Sequence, residues 1–208
     1  MTSQENIPVY HYLDIGRLGR GEVVNLFLKD AGIEVHQARY PWDASWLQQS
    51  ESLKKQGITR TGKVPSLEYK GQILTQHIPI LRYLARDLNR YDGDTNWEKY
   101  IVDAVSDIYI DWRAKWAANL TEASAEYKDQ YVVEYYNLVA QYYSDYEGPY
   151  LLGERITYVD FAIFQSMDND ERTGTLPLVL SEALVGFRKA FAARPNIAQY
   201  IDVNRHDQ

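Results

Sequence analysis

The sequence predicts two domains of different class, an α/β domain of order βαβαββα followed by an all-α domain. Strand-like and helix-like stretches alternate through residues 1–88, whereas only helical periodicity is found over residues 96–208. Between them, the polar stretch "RDLNRYDGDTN" carries Gly93 and is typical of a linker. We therefore expect the first domain at 1–88, a linker at 89–95 and the helical domain at 96–208.

The first domain begins with a pattern that predicts a βαβ unit. "PVYHYL" has the composition of a strand and leads into a loop with three glycines. "GEVVNLFLKDAG" then places its apolar side chains on one helical face and ends at Gly32. "IEVHQARY" alternates between apolar and polar residues and predicts a second, neighbouring strand.

The remainder of the first domain is predicted as a weak helix, a hairpin and a helix. "DASWLQQSESLKK" is polar and poorly periodic, which is typical of an exposed helix. "VPSLEY" and "QILTQ" are short strands around a Lys70-Gly71 turn, and "IPILRYLARDL" follows as a helix.

The second domain is predicted to contain four or five helices and no strands. Long helical patterns begin at "NWEKYIVDAV" and at "SAEYKDQYVV", and shorter ones at "TYVDFAIFQS" and "SEALVGFRKA". We expect a short turn after Pro195. Thr157 and Asp160 have the spacing of a capping box, in which an acid takes the place of glutamate, and we interpret this pair as structural.

The composition excludes several classes of function. The chain has 208 residues, a net charge of −7, which disfavours non-specific binding to nucleic acid, and no cysteine, which excludes disulfides and mechanisms that need a protein thiol. No apolar run approaches the roughly 20 residues of a membrane span, and "MTSQENIPVY" lacks the pattern of a signal peptide. We expect a cytoplasmic protein without a membrane or nucleic-acid partner. The four histidines are scattered, so we expect no metal site.

Three features of the first domain could carry chemistry. Tyr10 and Tyr12 share a face of the first strand beside "GRLGRG", whose spacing does not match a nucleotide-binding loop. Val64-Pro65 opens a strand, either as an ordinary strand start or as a cis bond whose backbone pairs with an extended ligand. Gln76-His77 begins a helix, where the residues either cap the helix or help its free N–H groups to hold an anion.

Taken together, the motifs resemble those of cytosolic glutathione transferases, most nearly the sigma-like class. The resemblance spans nearly the whole chain and rests on "YHYLDIGRLGRGEVVNLFLKDAGI", "TGKVPSLEYKGQILTQHIPILRYLAR", "VDAVSDIYIDW" and "GERITYVDFAIF". Of these, "GKVPSL" followed by "QHIPILRYLA" is the most specific part. The resemblance implies a thioredoxin-like first domain, a helical second domain, a homodimer and a role in detoxification.

The resemblance also implies roles for individual residues of the first domain. Tyr12 is similar to the tyrosine that hydrogen-bonds the glutathione sulfur, and Arg20 to an arginine close to it. Val64-Pro65 matches the cis-proline pair that binds the cysteinyl part, and Gln76-His77 matches the Gln-Ser pair that holds the γ-glutamyl group. Lys63 and Trp46 correspond to positions that flank the glycyl end.

Four residues of the second domain complete the expected site. Asp111 resembles an acid that reaches the ligand's amino group from the partner subunit. Tyr109, Trp112 and Trp116 are expected to line the pocket for the acceptor substrate. The implied activity is conjugation of glutathione, as co-substrate, to small hydrophobic electrophiles.

Three departures from the family pattern leave alternatives open. The loop after Tyr12 is about two residues longer than usual, so Tyr10 is a rival for the catalytic role. His77 stands where the family has serine, and Trp42 could take the place of Trp46. The alternatives for function are a non-catalytic ligandin or crystallin-like protein and a glutathione-dependent isomerase of the prostaglandin D synthase type.

Overall fold

The computed structural model describes residues 7–205, and its chain divides into two units between Leu84 and Ala85. We refer to them as the α/β unit and the helical unit. The predicted linker, 89–95, contains no helix or strand and joins the third helix of the chain to the fourth. The division between the units falls earlier, inside the third helix.

The α/β unit has the predicted order βαβαββα. Its elements are β1 (Val9–Leu13), α1 (Gly19–Ala31), β2 (His36–Tyr40), α2 (Trp46–Lys55), β3 (Ser66–Tyr69), β4 (Gln72–Thr75) and α3 (His77–Asp87). The strands form one mixed sheet in the order β2-β1-β3-β4, in which β1 is parallel to β2 and antiparallel to β3. The βαβ unit and the hairpin are therefore both confirmed.

The alternation of side chains along β1 decides which residues can meet. Successive side chains of a strand point to opposite faces, so Tyr10 and Tyr12 lie on one face and His11 on the other. The register pairs Tyr12 with Arg39 on β2 and Tyr10 with Leu67 on β3.

Helix α1 follows the glycine-rich loop and forms much of the core of this unit. Val23, Val24 and Phe27, which the sequence places on one helical face, are fully buried. Gly32 ends the helix with φ 70°, a left-handed conformation that glycine adopts without steric cost.

The helical unit contains five α-helices and one π-helical turn within the described residues. These are α4 (Asn96–Ala118), the π-helical turn (Tyr127–Tyr131), α5 (Val132–Tyr143), α6 (Tyr158–Arg172), α7 (Glu182–Ala192) and α8 (Pro195–Arg205). The expectation of a short turn after Pro195 was wrong, since α8 is a helix of 11 residues. Proline is tolerated in its first turn, and Ile197 and Ile201, one helical turn apart, are buried.

Helix α6 is the most buried helix of this unit and begins with the predicted capping box. The Asp160 carboxylate accepts hydrogen bonds from the backbone N–H of Thr157 at 2.6 Å and from the Tyr143 hydroxyl at 2.6 Å. Burial raises the pKa of Asp160. No helix in the described part of the chain combines the length and apolarity needed to cross a bilayer.

Candidate active site

Tyr12 lies near the end of β1, where its ring packs against the backbone of helix α1. The side chain is 4% exposed, and a Cβ atom added to Gly21 would lie 2.3 Å from two carbons of the Tyr12 ring. The Tyr12 hydroxyl donates to the Leu18 carbonyl oxygen over 3.4 Å, which is long for such a bond. The absence of a side chain at position 21 is therefore what lets the ring lie this close to the helix.

Tyr10, the rival of Tyr12, is more firmly engaged with the protein. It is fully buried, and its hydroxyl donates to the Gly21 carbonyl oxygen at 2.7 Å. Its ring stacks on that of Tyr12 with the centroids 6.4 Å apart. A phenol held at this distance by a backbone carbonyl has a structural role, so the geometry favours Tyr12 for a role with a ligand.

Three arginines surround the start of helix α1 and the tyrosine pair. Arg20 is half-buried, and its Nε atom makes no hydrogen bond within the described residues. The Arg17 Nε lies 3.6 Å from the Glu22 carboxylate, and both side chains are buried. The guanidinium of Arg39 lies 5.6 Å from the ring centroid of Tyr10 and 5.8 Å from that of Tyr12.

The Val64-Pro65 peptide bond is cis, so of the two interpretations of this strand start the ordinary trans proline is excluded. Pro65 is buried and Lys63 is exposed. The carbonyl oxygen of Lys63 accepts a hydrogen bond from the Thr59 hydroxyl at 2.9 Å, which fixes the chain just before the cis bond.

Gln76 and His77 occupy the start of helix α3. Gln76 is exposed and has φ 68°, a left-handed conformation that is uncommon for a residue with a side chain. Its carbonyl oxygen accepts the N–H of Ile80 at 2.9 Å, the first bond of the helix. His77 is 6% exposed, so its ring does not point into solvent. Such backbone outliers occur often at binding sites.

Aromatic side chains cluster between the end of β2 and the start of α2. The half-buried Trp46 ring lies 5.9 Å from the Trp42 ring and 6.4 Å from the Tyr40 ring. Trp42 is 62% exposed. Both tryptophans therefore lie in the same aromatic cluster, and the structure does not decide which of them corresponds to the position that flanks the glycyl end.

A hydrogen-bonded row crosses three strands next to this aromatic cluster. The Tyr40 hydroxyl lies 2.6 Å from His11 Nδ1, and His11 Nε2 lies 2.8 Å from Glu68 Oε1. An ionised Glu68 only accepts, so His11 Nε2 donates to it, and in a neutral imidazole Nδ1 then accepts from the Tyr40 hydroxyl. Burial, and secondly the Glu68 charge, raise the pKa of Tyr40.

The predicted site residues of the helical unit all lie on α4. Tyr109, Trp112 and Trp116 are buried, and Asp111 is exposed. Trp112 Nε1 donates to the Asp170 carboxylate at 2.9 Å, and Trp116 Nε1 donates to the Thr173 hydroxyl at 3.3 Å. These bonds give both tryptophans a structural role inside the helical unit, and the acceptor pocket stays a prediction.

Comparisons with known proteins decide the family. Residues 8–86 match the profile of the glutathione S-transferase N-terminal domain, and residues 110–204 match that of the glutathione S-transferase C-terminal domain. The chain belongs to the glutathione S-transferase family. The thioredoxin-like fold of the α/β unit and the all-α fold of the helical unit are thereby confirmed.

Relatives from several organisms match over most of their length. "Probable glutathione S-transferase 9" of Caenorhabditis elegans is 27% identical over 88% of this chain and 91% of its own. "Glutathione S-transferase alpha-2" of Rattus norvegicus is 25% identical over 93% of this chain and 87% of its own. The structure of the Pi-class glutathione S-transferase from Onchocerca volvulus superposes with a TM-score of 0.80 and is 23% identical in sequence. The superposition covers 97% of this chain and 95% of the other. These names span different classes, so the sigma-like class stays a prediction for this transferase.

Two features of this transferase were missed by the sequence analysis. Arg39 lies beside Tyr12 because of the β1–β2 register, which the alternation of "IEVHQARY" does not specify. The row of Tyr40, His11 and Glu68 depends on the same register and on that of β3. Within the described residues no group of three histidines, aspartates or glutamates could hold a metal ion, and His206 lies outside those residues.

Proposed function

We propose that this transferase activates the thiol of glutathione for attack on small hydrophobic electrophiles, with the Tyr12 hydroxyl as donor to the sulfur. A free thiol has a pKa of about 8.5 and is a weak nucleophile at neutral pH, whereas the thiolate is the reactive form. A donor aimed at the sulfur stabilises this anion. The observation that carries the proposal is the contrast between the 2.7 Å bond of Tyr10 and the 3.4 Å contact of Tyr12.

The proposed glutathione site uses the remaining predicted residues of the α/β unit. Gln76-His77 at the start of α3 is proposed to hold the γ-glutamyl carboxylate, which the free N–H groups of a helix start favour. Val64-Pro65 is proposed to bind the cysteinyl part through its backbone. Lys63 and Trp46 are proposed at the glycyl end, and Arg20 near the sulfur. The left-handed conformation of Gln76 supports the first of these roles.

The helical unit is proposed to supply the acceptor pocket and a contact across a homodimer. Tyr109 of α4, together with Trp112 and Trp116, belongs to the proposed pocket, although the bonds of the two tryptophans give them a structural role as well. Asp111 is exposed. A residue that reaches the ligand of a partner subunit must be exposed in the single chain. A role in detoxification and a cytoplasmic location follow from the family resemblance and are part of the same proposal.

The test is a conjugation assay with an aryl halide across pH, using the wild type, Tyr12→Phe and Tyr10→Phe. We expect Tyr12→Phe to lower kcat by about 100- to 1,000-fold, as the loss of one donor to a reacting anion does, while glutathione still binds. We expect Tyr10→Phe to lose about 1 kcal/mol of stability with little change in kcat, because its hydroxyl bonds to the backbone.

The same assay separates the alternatives. Unchanged turnover in Tyr12→Phe together with a large loss in Tyr10→Phe would transfer the role to Tyr10. Retention on immobilised glutathione without turnover of any electrophile by the wild type would contradict the proposed catalysis and support a non-catalytic binding protein. A rearranged product without net consumption of glutathione would support an isomerase.

A further inference from the structure

Arg39 has an unusual position in the α/β unit, because its guanidinium lies near two stacked tyrosine rings at once. The distances to the ring centroids of Tyr10 and Tyr12 are 5.6 and 5.8 Å, both within the range of a cation–π interaction. The parallel pairing of β1 with β2 sets Arg39 directly beside Tyr12. Its Nη1 also donates to the Leu13 carbonyl oxygen at 3.4 Å.

The other charges near Tyr12 differ from that of Arg39. Arg17 and Glu22 lie 3.6 Å apart and largely offset each other. Arg20, proposed near the sulfur, is a second cation whose Nε makes no hydrogen bond within the described residues, so the charge of Arg39 adds to that of Arg20. Arg39 has no carboxylate partner within the described residues, and its guanidinium contacts the Leu13 carbonyl and the two rings. Its positive charge therefore faces the tyrosine pair.

We propose that Arg39 is a positioning residue for this pair, which fixes the Tyr12 ring and favours the anionic form of a thiol held by the Tyr12 hydroxyl. The inference rests on the proposed function, since it requires a thiolate beside Tyr12. A planar guanidinium can contact two rings and a carbonyl together, whereas the compact ammonium of a lysine keeps the charge but not this set of contacts.

The test compares Arg39→Gln and Arg39→Lys with the wild type and with Arg90→Gln. Arg90 is a matched control in the helical unit, because its guanidinium also lies over a tyrosine ring, 4.9 Å from the centroid of Tyr91, and its replacement changes the net charge equally. The pKa of the bound glutathione thiol is measured from thiolate absorbance and from the pH profile of kcat/KM for the aryl halide at saturating glutathione. The dissociation constant of glutathione and the thermal unfolding midpoint are measured on the same samples.

We expect Arg39→Gln to raise the pKa of the bound thiol by about 0.5 to 1 unit, since a nearby opposite charge favours an anion. The rate at neutral pH should then fall by roughly 3- to 10-fold, because each unit changes the thiolate fraction tenfold. In Arg39→Lys the pKa of the bound thiol should lie close to the wild-type value, because the positive charge is kept. Arg90→Gln should leave this pKa unchanged. Measured at a pH below the pKa of the bound thiol, where the ligand binds as the neutral thiol in wild type and variant alike, the affinity for glutathione should change less than about twofold.

Two results overturn the inference. One is a thiol pKa that is the same in Arg39→Gln as in the wild type. The other is an Arg39→Gln shift that Arg90→Gln reproduces, which would assign it to net charge. Tyr12→Phe distinguishes the two proposals. If Tyr12→Phe raises the pKa of the bound thiol and Arg39→Gln does not, only the inference about Arg39 fails. If neither variant changes the pKa of the bound thiol, the proposed function fails as well.

Discussion

The contact between Gly21 and the Tyr12 ring is the tightest constraint on a single residue of the candidate site. We predict that Gly21→Ala destabilises the protein by about 1–3 kcal/mol, as overpacking of a filled core does, and lowers the conjugation rate by displacing the Tyr12 ring. Gly186→Ala is the matched control. It lies on α7, is exposed, and its added Cβ meets nothing within 4 Å, so it should stabilise by about 0.5–1 kcal/mol. Urea unfolding and the conjugation assay measure both effects, and a Gly21→Ala protein of unchanged stability and rate would contradict the close packing.

Individual residues of the site could be predicted when their local pattern was sufficient. The alternation of β1 placed Tyr10 and Tyr12 on one face without any knowledge of the partner strands. It could not rank them, because the decisive bond from Tyr10 ends on the backbone of a helix 11 residues away. Arg39 could not be found, since a shift of one residue in register would move it to the opposite face of the sheet. The configuration of Val64-Pro65 was likewise open, because cis and trans forms differ by only about 0.5–1 kcal/mol in a free chain.

Among the elements, helix α6 depends most on one buried carboxylate. Asp170 accepts hydrogen bonds from Trp112, Tyr127, Tyr136 and Thr175 at 2.6–2.9 Å. It thereby ties α4, the π-helical turn and α5 to the end of α6. Burial raises the pKa of Asp170, and these four donors partly offset that rise.

We predict that Asp170→Ala destabilises the helical unit by about 3–5 kcal/mol, because it leaves several buried donors without an acceptor. Glu171→Ala is the control on the same helix, since Glu171 is exposed, pairs with Arg188 at the surface and should contribute about 0.5 kcal/mol. Equilibrium unfolding in urea, followed by circular dichroism, compares the two. Equal stabilities of the two variants would show that the Asp170 network does not stabilise the unit.

The elements themselves were predicted well where helical or strand periodicity was long enough. The poorly periodic "DASWLQQSESLKK" became α2, which begins at Trp46 because Asp43 and Ser45 form a turn before it. Helix α8 was missed because the segment after Pro195 contains few apolar residues, of which Ile197 and Ile201 are buried. That pattern is too short to separate a helix from a turn by periodicity.

On the scale of the whole molecule, the 18 tyrosines give stability an unusual dependence on alkaline pH. Four of them in the helical unit, Tyr127, Tyr135, Tyr136 and Tyr143, are at most 5% exposed. Burial raises the pKa of each of these four, and a carboxylate charge adds to the rise, that of Asp170 for Tyr127, Tyr135 and Tyr136 and that of Asp160 for Tyr143. In the unfolded chain the same phenols titrate near pH ~10.

Stability should therefore fall as pH rises above about 10, because the unfolded chain then releases protons that the folded chain keeps. Each such tyrosine contributes a slope of about 1.4 kcal/mol per pH unit, so four give a slope of roughly 5 kcal/mol per unit. Urea unfolding between pH 9 and 11.5 measures this slope, and tyrosinate absorbance reports when the buried phenols ionise. Tyr136→Phe should reduce the slope by the contribution of one tyrosine, about 1.4 kcal/mol per pH unit, whatever its effect on the stability at neutral pH. A flat stability over this range, or tyrosinate from all buried residues before unfolding, would mean that these phenols are accessible to solvent in the folded protein.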